Sequence, residues 1–441
     1  MNTKIADFID HSEALAIELE TELCKRPAIS PESGGSGELD KCEFLESWLK
    51  QHGITALERY DAPDERAKGG VRPNLIATIP GSGSKGAENA DSPEDPAVPR
   101  LWIMSHLDVV PPGELSLWNS DPWQVIQTDG PEKGDDPARD NSPGPRLIGR
   151  GVEDNQQGLV SSVLAALSLV TNGINPARTV KLLFVADEEN GSAYGIDWLL
   201  KNQNALAPGG LFRKNDMVLI PDGGDSKGES IEIAEKNLVW ARFTTRGLQA
   251  HGSRPDLGAN AHLAGADLAV QLHYGLSEKF AGHDPLFEPD YSTFQPTKKE
   301  ANVPNINTIP GEDVFCMDMR ILPRYPVKEV LAEIDHIKTE IEKKHGVKIE
   351  YTLPQCMESK ATPAEAPLIK LLSKTVTKVY GIKTHPVGIG GGTVGAYLRN
   401  EGIDSAVWCR IDDTAHQPNE YAIVDNILGD AKVMALMMMD G

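Results

Sequence analysis

Two stretches of this chain alternate short continuous apolar runs with helical segments, and the block between them does not. That interrupted pattern constrains the fold most. From Gly158 the order is helix 159–170, strand 180–186, helix 192–201, strand 217–220. Strands that are apolar throughout belong in a parallel sheet covered on both faces. Upstream, 10–23 and 41–52 read as amphipathic helices, and 74–79 and 101–105 as further apolar strands bounded by Pro or Gly. The same signature returns late. Pro367 opens a helix that Gly381 stops, 406–409 is a strand and 422–437 a last helix. Segments 81–99 and 129–145, rich in Gly, Ser, Asp and Pro, read as exposed loops.

The middle block has a different rhythm. Residues 238–245 alternate as a half-buried strand, 259–274 are helical, and 305–309 and 314–321 pair across Pro310-Gly311. In 327–344 the residues Val327, Val330, Leu331, Ile334, Ile337 and Ile341 recur at helical spacing, and 347–352 is another strand. The order βαββαβ is that of a ferredoxin-like module. The expected architecture is therefore α/β: a mixed, mainly parallel sheet sandwiched by helices, built from 1–236 and 355–441, with 237–354 inserted as a second domain. The length agrees, since a single core rarely grows past roughly 250–300 residues.

Charge and cysteine usage exclude several function classes. Acidic residues outnumber basic ones 65 to 43, a net charge of −22. Nothing in that balance offsets phosphate repulsion, so neither a nucleic acid nor an anionic membrane is an expected partner. Cys24, Cys42, Cys316, Cys356 and Cys409 are odd in number and form no CxxC, against a disulfide framework or a Cys-based zinc finger. No signal-peptide pattern opens the chain and no run approaches about 18 apolar residues, so a cytoplasmic, soluble protein is expected.

Five sites carry the chemistry. His106-Leu107-Asp108 follows strand 101–105, Asp187-Glu188-Glu189 follows 180–186, Asp222 follows 217–220, and His416 lies beyond 406–409. Asp154 sits in the Gly-rich turn Gly149-Arg150-Gly151-Val152-Glu153-Asp154. In open α/β sheets ligands bind beyond strand C-termini. Alone, a His or Asp after a strand is usually a turn or cap residue. Two His and several carboxylates at one sheet edge would repel or shift their pKa values without cations. A pair of divalent metals resolves this, and His with Asp or Glu is a zinc-type donor set.

These motifs resemble the co-catalytic zinc exopeptidase and deacylase family of carboxypeptidase G, succinyl-diaminopimelate desuccinylase, acetylornithine deacetylase, aminoacylase and carnosine-type dipeptidases. The likeness covers nearly the whole chain and includes Trp118 to Trp123 and the run His416, Pro418, Asn419, Glu420. It implies two zinc ions, with cobalt or manganese as substitutes. Asp154 would bridge them, His106 and Asp222 would complete one site, and Glu189 and His416 the other. Asp108 would hold the far ring nitrogen of His106. Glu188 would act as general base and then acid, and the family pattern alone assigns Glu189 rather than Glu188 as ligand.

The resemblance also reaches the inserted block, as a lid and dimerisation domain. His251, in Gln249-Ala250-His251-Gly252-Ser253-Arg254-Pro255, matches an oxyanion-stabilising lid histidine, which acts in its own subunit or the partner's. Arg320 matches an Arg that binds a substrate carboxylate, and Asn307 a polar lid residue near the substrate. Gly391, Gly392 and Thr393, after Gly390, offer backbone N–H groups for an anion. The bland readings are a surface charge for Arg320 and a tight turn for the glycines. Two departures stand out: Gln156 and Gln157 where many members have Lys, and Asp222 where deacylases tend to have Glu, which leans toward peptides. The expected function is hydrolysis of the amide bond of a short peptide or N-acyl amino acid bearing a free carboxylate, by a homodimer paired through the lid. The alternatives are a biosynthetic N-succinyl or N-acetyl amino acid deacylase and a non-catalytic binding protein on the same fold.

Overall fold

The strand order of the principal sheet explains where the chemistry collects. In the computed structural model, which describes residues 2–82, 96–130 and 144–440, eight strands run Leu57–Pro63, Val71–Ile79, Val180–Val185, Leu101–His106, Met217–Asp225, Asp404–Arg410, Ser230–Glu235, His385–Ile389. Leu101–His106 is parallel to both of its neighbours, and Asp404–Arg410 is parallel to Met217–Asp225. Four strands therefore share one direction and end at one edge of the sheet. Leu101–His106 and Val180–Val185 are buried at every position, which is why they read as unbroken apolar runs. The loops expected at 81–99 and 129–145 lie largely outside the described residues.

The chain divides into two compact units. One comprises Met1–Ile233, Thr362–Pro386 and Tyr397–Gly441, the other Ala234–Ala361 and Val387–Ala396. In the first, the principal sheet is flanked by helices in the mixed α/β architecture expected. Helix Gly158–Val170 is buried along nearly its whole length and packs against Val424–Met439. A Cβ at Gly158 would lie 2.1 Å from the Pro221 carbonyl oxygen. Only glycine lets this helix start so close to the strand that carries Asp222. That strand runs on to Asp225, with a register irregularity against Val407 and Cys409.

In the second unit a four-stranded antiparallel sheet has the order Thr293–Lys299, Glu312–Ile321, Asn237–Arg246, Lys348–Met357. Helices Ala261–Lys279 and Val327–His345 pack on each other. Phe243, Leu268, Leu272, Phe294, Met319 and Ile334 join in one core, fully buried. Each such side chain contributes about 1.5–3 kcal/mol of burial. The topology is the expected βαββαβ, but one strand differs. The partner of Glu312–Ile321 is Thr293–Lys299, not 305–309. Thr308–Ile309 instead pairs with Ala250–His251. Thr293–Lys299 is an edge strand carrying Pro296 and is mostly exposed, so no apolar alternation marks it.

Among the described residues no helix is long and apolar enough to cross a membrane. All five cysteines are free thiols.

Candidate metal centre

The first unit brings seven of the expected residues to the shared strand edge. His106 ends its strand, buried. Its Nδ1 donates to the Asp108 carbonyl oxygen at 2.9 Å, which turns Nε2 toward the carboxylates. Nε2 lies 2.9 Å from Asp154 Oδ1 and 3.5 Å from Asp222 Oδ1. The other oxygen of Asp154, Oδ2, lies 3.0 Å from His416 Nε2, which is also 3.0 Å from Glu189 Oε2. Asp154 thus divides its two oxygens between two imidazoles. Candidate ligand atoms of His106, Asp154 and Glu189 lie within 4.8 Å of one another, and so do those of His106, Glu188 and Asp222.

Asp108 lies beside the ring of His106: one carboxylate oxygen is 3.6 Å from His106 Nδ1, and the backbone carbonyl of the same residue accepts that nitrogen's hydrogen bond. The carboxylate also accepts the backbone N–H groups of Glu188, at 3.0 Å, and Glu189, at 3.1 Å. It fixes the turn that presents both glutamates. Asp187 enters that turn in left-handed backbone, φ 64°, and its carboxylate contacts Arg72 at 3.3 Å.

Two buried glutamates form reciprocal latches that sequence reasoning assigned no role. Glu420 accepts N–H groups from Gly151, Glu153 and Asp154 at 3.0, 3.0 and 3.1 Å and pairs with Arg150. Glu153 accepts from Asp412 N at 2.8 Å, Thr414 Oγ1 at 2.7 Å and Thr414 N. Each side of the centre is therefore held by a carboxylate from the other. Asn155 was also missed. Its Nδ2 donates to Asp222 Oδ1 and to the Pro221 carbonyl, both at 2.7 Å. Glu420 belonged to a quoted motif and Glu153 and Asn155 flank a proposed ligand; adjacency was the only signal available. His416 adopts φ 63°, a left-handed conformation that turns its ring back toward Asp154.

The donor set fits divalent cations. Hydrogen bonds to Asp154 and Glu189 push His416 up to about 10. Burial opposes protonation of His106, but Asp222 and the neighbouring carboxylates hold its pKa well above the usual value. Burial also acts against ionised Asp154, and the hydrogen bonds from both imidazoles outweigh it, holding that carboxyl below the usual range. The imidazoles thus supply positive charge that the carboxylates demand. Oε1 of Glu189 is buried with no hydrogen-bond partner. Burial, then the Asp222 carboxylate, push Glu188 well above the carboxylate range.

The remaining expected residues lie in the second unit and form two groups. His251 is exposed. The Ser253 N–H donates to its Nδ1 at 3.1 Å, so the proton of the neutral ring sits on Nε2, which is left as a donor. Asn307 adjoins it, its carbonyl accepting from Gly252 N at 2.6 Å. Arg320 makes a two-pronged pair with Asp318, at 2.8 and 3.0 Å, and donates to the Gly390 carbonyl at 2.7 Å. This places it at the turn containing Gly391, Gly392 and Thr393, whose hydroxyl donates to Glu235.

A model of the peptidase family M20/M25/M40 matches residues 102–440. The chain belongs to this family. It is accordingly a metal-dependent hydrolase of amide bonds, the class its motifs resemble. An uncharacterized metallohydrolase of Methanococcus maripaludis is 36% identical over 95% of this chain and 97% of its own. A succinyl-diaminopimelate desuccinylase of Cereibacter sphaeroides is 27% identical over 93% of this chain and 94% of its own. Among solved structures, a di-peptidase from Saccharomyces cerevisiae superposes with a TM-score of 0.70 at 17% identity, covering 99% of this chain and 97% of its own. That likeness shows the shared fold.

Proposed function

We propose that this M20 hydrolase is a dinuclear-zinc enzyme that cleaves the amide bond of a short peptide or N-acyl amino acid bearing a free carboxylate. The observation that carries the reading is the division of the Asp154 oxygens between His106 and His416, each 2.9–3.0 Å away. A carboxylate so placed suits a bridge, with His106 and Asp222 on one side and Glu189 and His416 on the other. When bound, the two metals would polarise the scissile carbonyl and raise the acidity of water.

The protein's own groups supply the rest. Glu188, half-buried beside the proposed ligands, takes a proton from the attacking water and returns it to the leaving amine. Its raised pKa suits that task, because a base must hold the proton before passing it on. Asp108 positions Glu188 through the backbone rather than touching substrate. His251 Nε2–H is a suitable donor to the developing oxyanion. Arg320 and the turn at Gly391, Gly392 and Thr393 would receive the substrate carboxylate, with Asn307 beside the lid histidine.

The N-succinyl or N-acetyl deacylase reading is favoured by the desuccinylase relative, and the peptide reading by Asp222. Hydrolysis of dipeptides against N-acyl amino acids separates them. In Glu188→Gln, turnover should fall by orders of magnitude while zinc stays near two per chain; full activity would overturn the role. Five free thiols suit a reducing, cytoplasmic compartment. The exposed Leu263, Val270 and Tyr274 on helix Ala261–Lys279 suit pairing of two chains through the second unit.

A further inference from the structure

The turn at Gly390–Thr393, in the second unit, is pinned at both ends. At one end Arg320 donates to the Gly390 carbonyl at 2.7 Å. At the other the Thr393 hydroxyl donates to Oε1 of Glu235 and accepts the Gly395 N–H at 3.1 Å. Between the pins, no acceptor among the described residues takes the backbone N–H of Gly391, Gly392 or Thr393. Gly391 and Gly392 are exposed, so these donors are open to a ligand. Successive unpartnered N–H groups in a turn make a concavity suited to an anion.

Glu235 is the buried pin, 2% exposed. Its second oxygen, Oε2, accepts the Ser359 hydroxyl at 2.6 Å. Ser359 is itself fixed, its N–H donating to Asn237 Oδ1 at 2.8 Å. A hydroxyl has one proton to give, and an ionised carboxylate only accepts. The Thr393 proton is therefore committed to Glu235, which leaves the backbone of Thr393, and not its hydroxyl, to meet a substrate. The glycines between the pins make the link matter. Gly390, Gly391 and Gly392 follow one another, and glycine has the most backbone freedom to lose. A turn left free would pay that ordering cost at the moment of binding, whereas one held at both ends has its N–H groups already converged.

We propose that Glu235 is a positioning residue for substrate binding: through Thr393 it presets the glycine turn for the substrate carboxylate, without touching substrate itself. The inference rests on the reading above that this turn receives that carboxylate.

The test measures binding in the zinc-loaded full-length Glu188→Gln protein, so that it does not depend on turnover. Calorimetry compares Gly-Leu with its C-terminal amide, which lacks the carboxylate. The acid should bind about tenfold more tightly, as expected for hydrogen bonds to a charged group. Adding Glu235→Gln or Thr393→Val should bring that ratio to within threefold and leave affinity for the amide within twofold. Combining the two should change the ratio little further, because they remove one shared contact. Thr393→Ser, which keeps the hydroxyl, should restore the preference. A preference that survives both Glu235→Gln and Thr393→Val would overturn the proposal. So would its equal loss in Thr393→Ser and Thr393→Val, or an equal loss of affinity for acid and amide, the mark of a general disturbance of the fold. No preference for the acid before either change would overturn the carboxylate reading and the proposal with it. Hydrolysis of Gly-Leu by the unaltered protein is assayed separately. Absence of turnover, with the binding preference present and removed by Thr393→Val, would sink the peptidase reading and leave the role of Glu235 standing.

Discussion

Glu420→Ala is the perturbation that most directly probes how the Asp154 carboxylate is held. Glu420 touches no expected ligand side chain. It accepts the N–H groups of Gly151, Glu153 and Asp154 and pairs with Arg150, whose side chain is 2% exposed. Alanine leaves those three backbone donors without their acceptor, each worth about 1–3 kcal/mol when unsatisfied. It also leaves a buried guanidinium without its counter-charge, a loss of about 3–5 kcal/mol for such pairs. These terms overlap, since the loop relaxes and Arg150 keeps a contact to the Gln417 carbonyl at 3.3 Å. A net loss of about 4 kcal/mol is the expectation. Because Asp154 N is one of the released groups, its carboxylate should lose orientation, weakening zinc about 10–100-fold, as for other partners that orient ligands. Competition with a chromophoric chelator reads the affinity, and urea denaturation reads the stability. Glu420→Gln, which keeps one acceptor oxygen, should fall between. Zinc affinity within twofold of the unaltered protein, with an unchanged urea midpoint, would refute the latch.

Two further outcomes follow from other parts of the molecule. Burial pushes the Asp430 carboxyl up from 3.8 to about 7, although Arg410 N, at 3.0 Å, and the Tyr380 hydroxyl, at 2.7 Å, donate to it. The folded protein keeps that proton where the unfolded chain releases it, so stability falls as pH rises between those values. The stability of the unaltered protein relative to Asp430→Asn should therefore drop by about 2.5 kcal/mol from pH 5 to pH 7.5 in chelator-treated samples. A difference that does not vary with pH would contradict this. Leu272→Ala, in the core of the second unit and fully buried, should lose about 2–5 kcal/mol in urea unfolding. Zinc content should not change, because every proposed ligand belongs to the first unit.

The candidate site was legible because of how parallel sheets work. Each of His106, Glu188, Glu189 and Asp222 lies at or just beyond a strand whose apolar run is unmistakable, and parallel strands end together. The groups that orient them were not legible. Glu153 and Glu420 are 267 residues apart, and nothing in either local sequence indicates that each carboxylate closes the other's loop. Asp108 was recognised as a neighbour of His106, but its grip on the backbone N–H groups of Glu188 and Glu189, some 80 residues on, leaves no mark in the local sequence. Thr293–Lys299 escaped because an exposed edge strand with Pro296 and successive lysines has no buried face to impose alternation. Conversely, Ile309 made 305–309 look like a sheet strand, although that apolar residue packs in the small ribbon with Ala250.

Zinc-edge anomalous diffraction from crystals of the zinc-loaded protein tests the central claim most directly. The account predicts two peaks about 3.5–4 Å apart, on either side of the Asp154 carboxylate, one beside His106 and Asp222 and the other beside Glu189 and His416. A single peak, or two peaks that do not share Asp154, would contradict it.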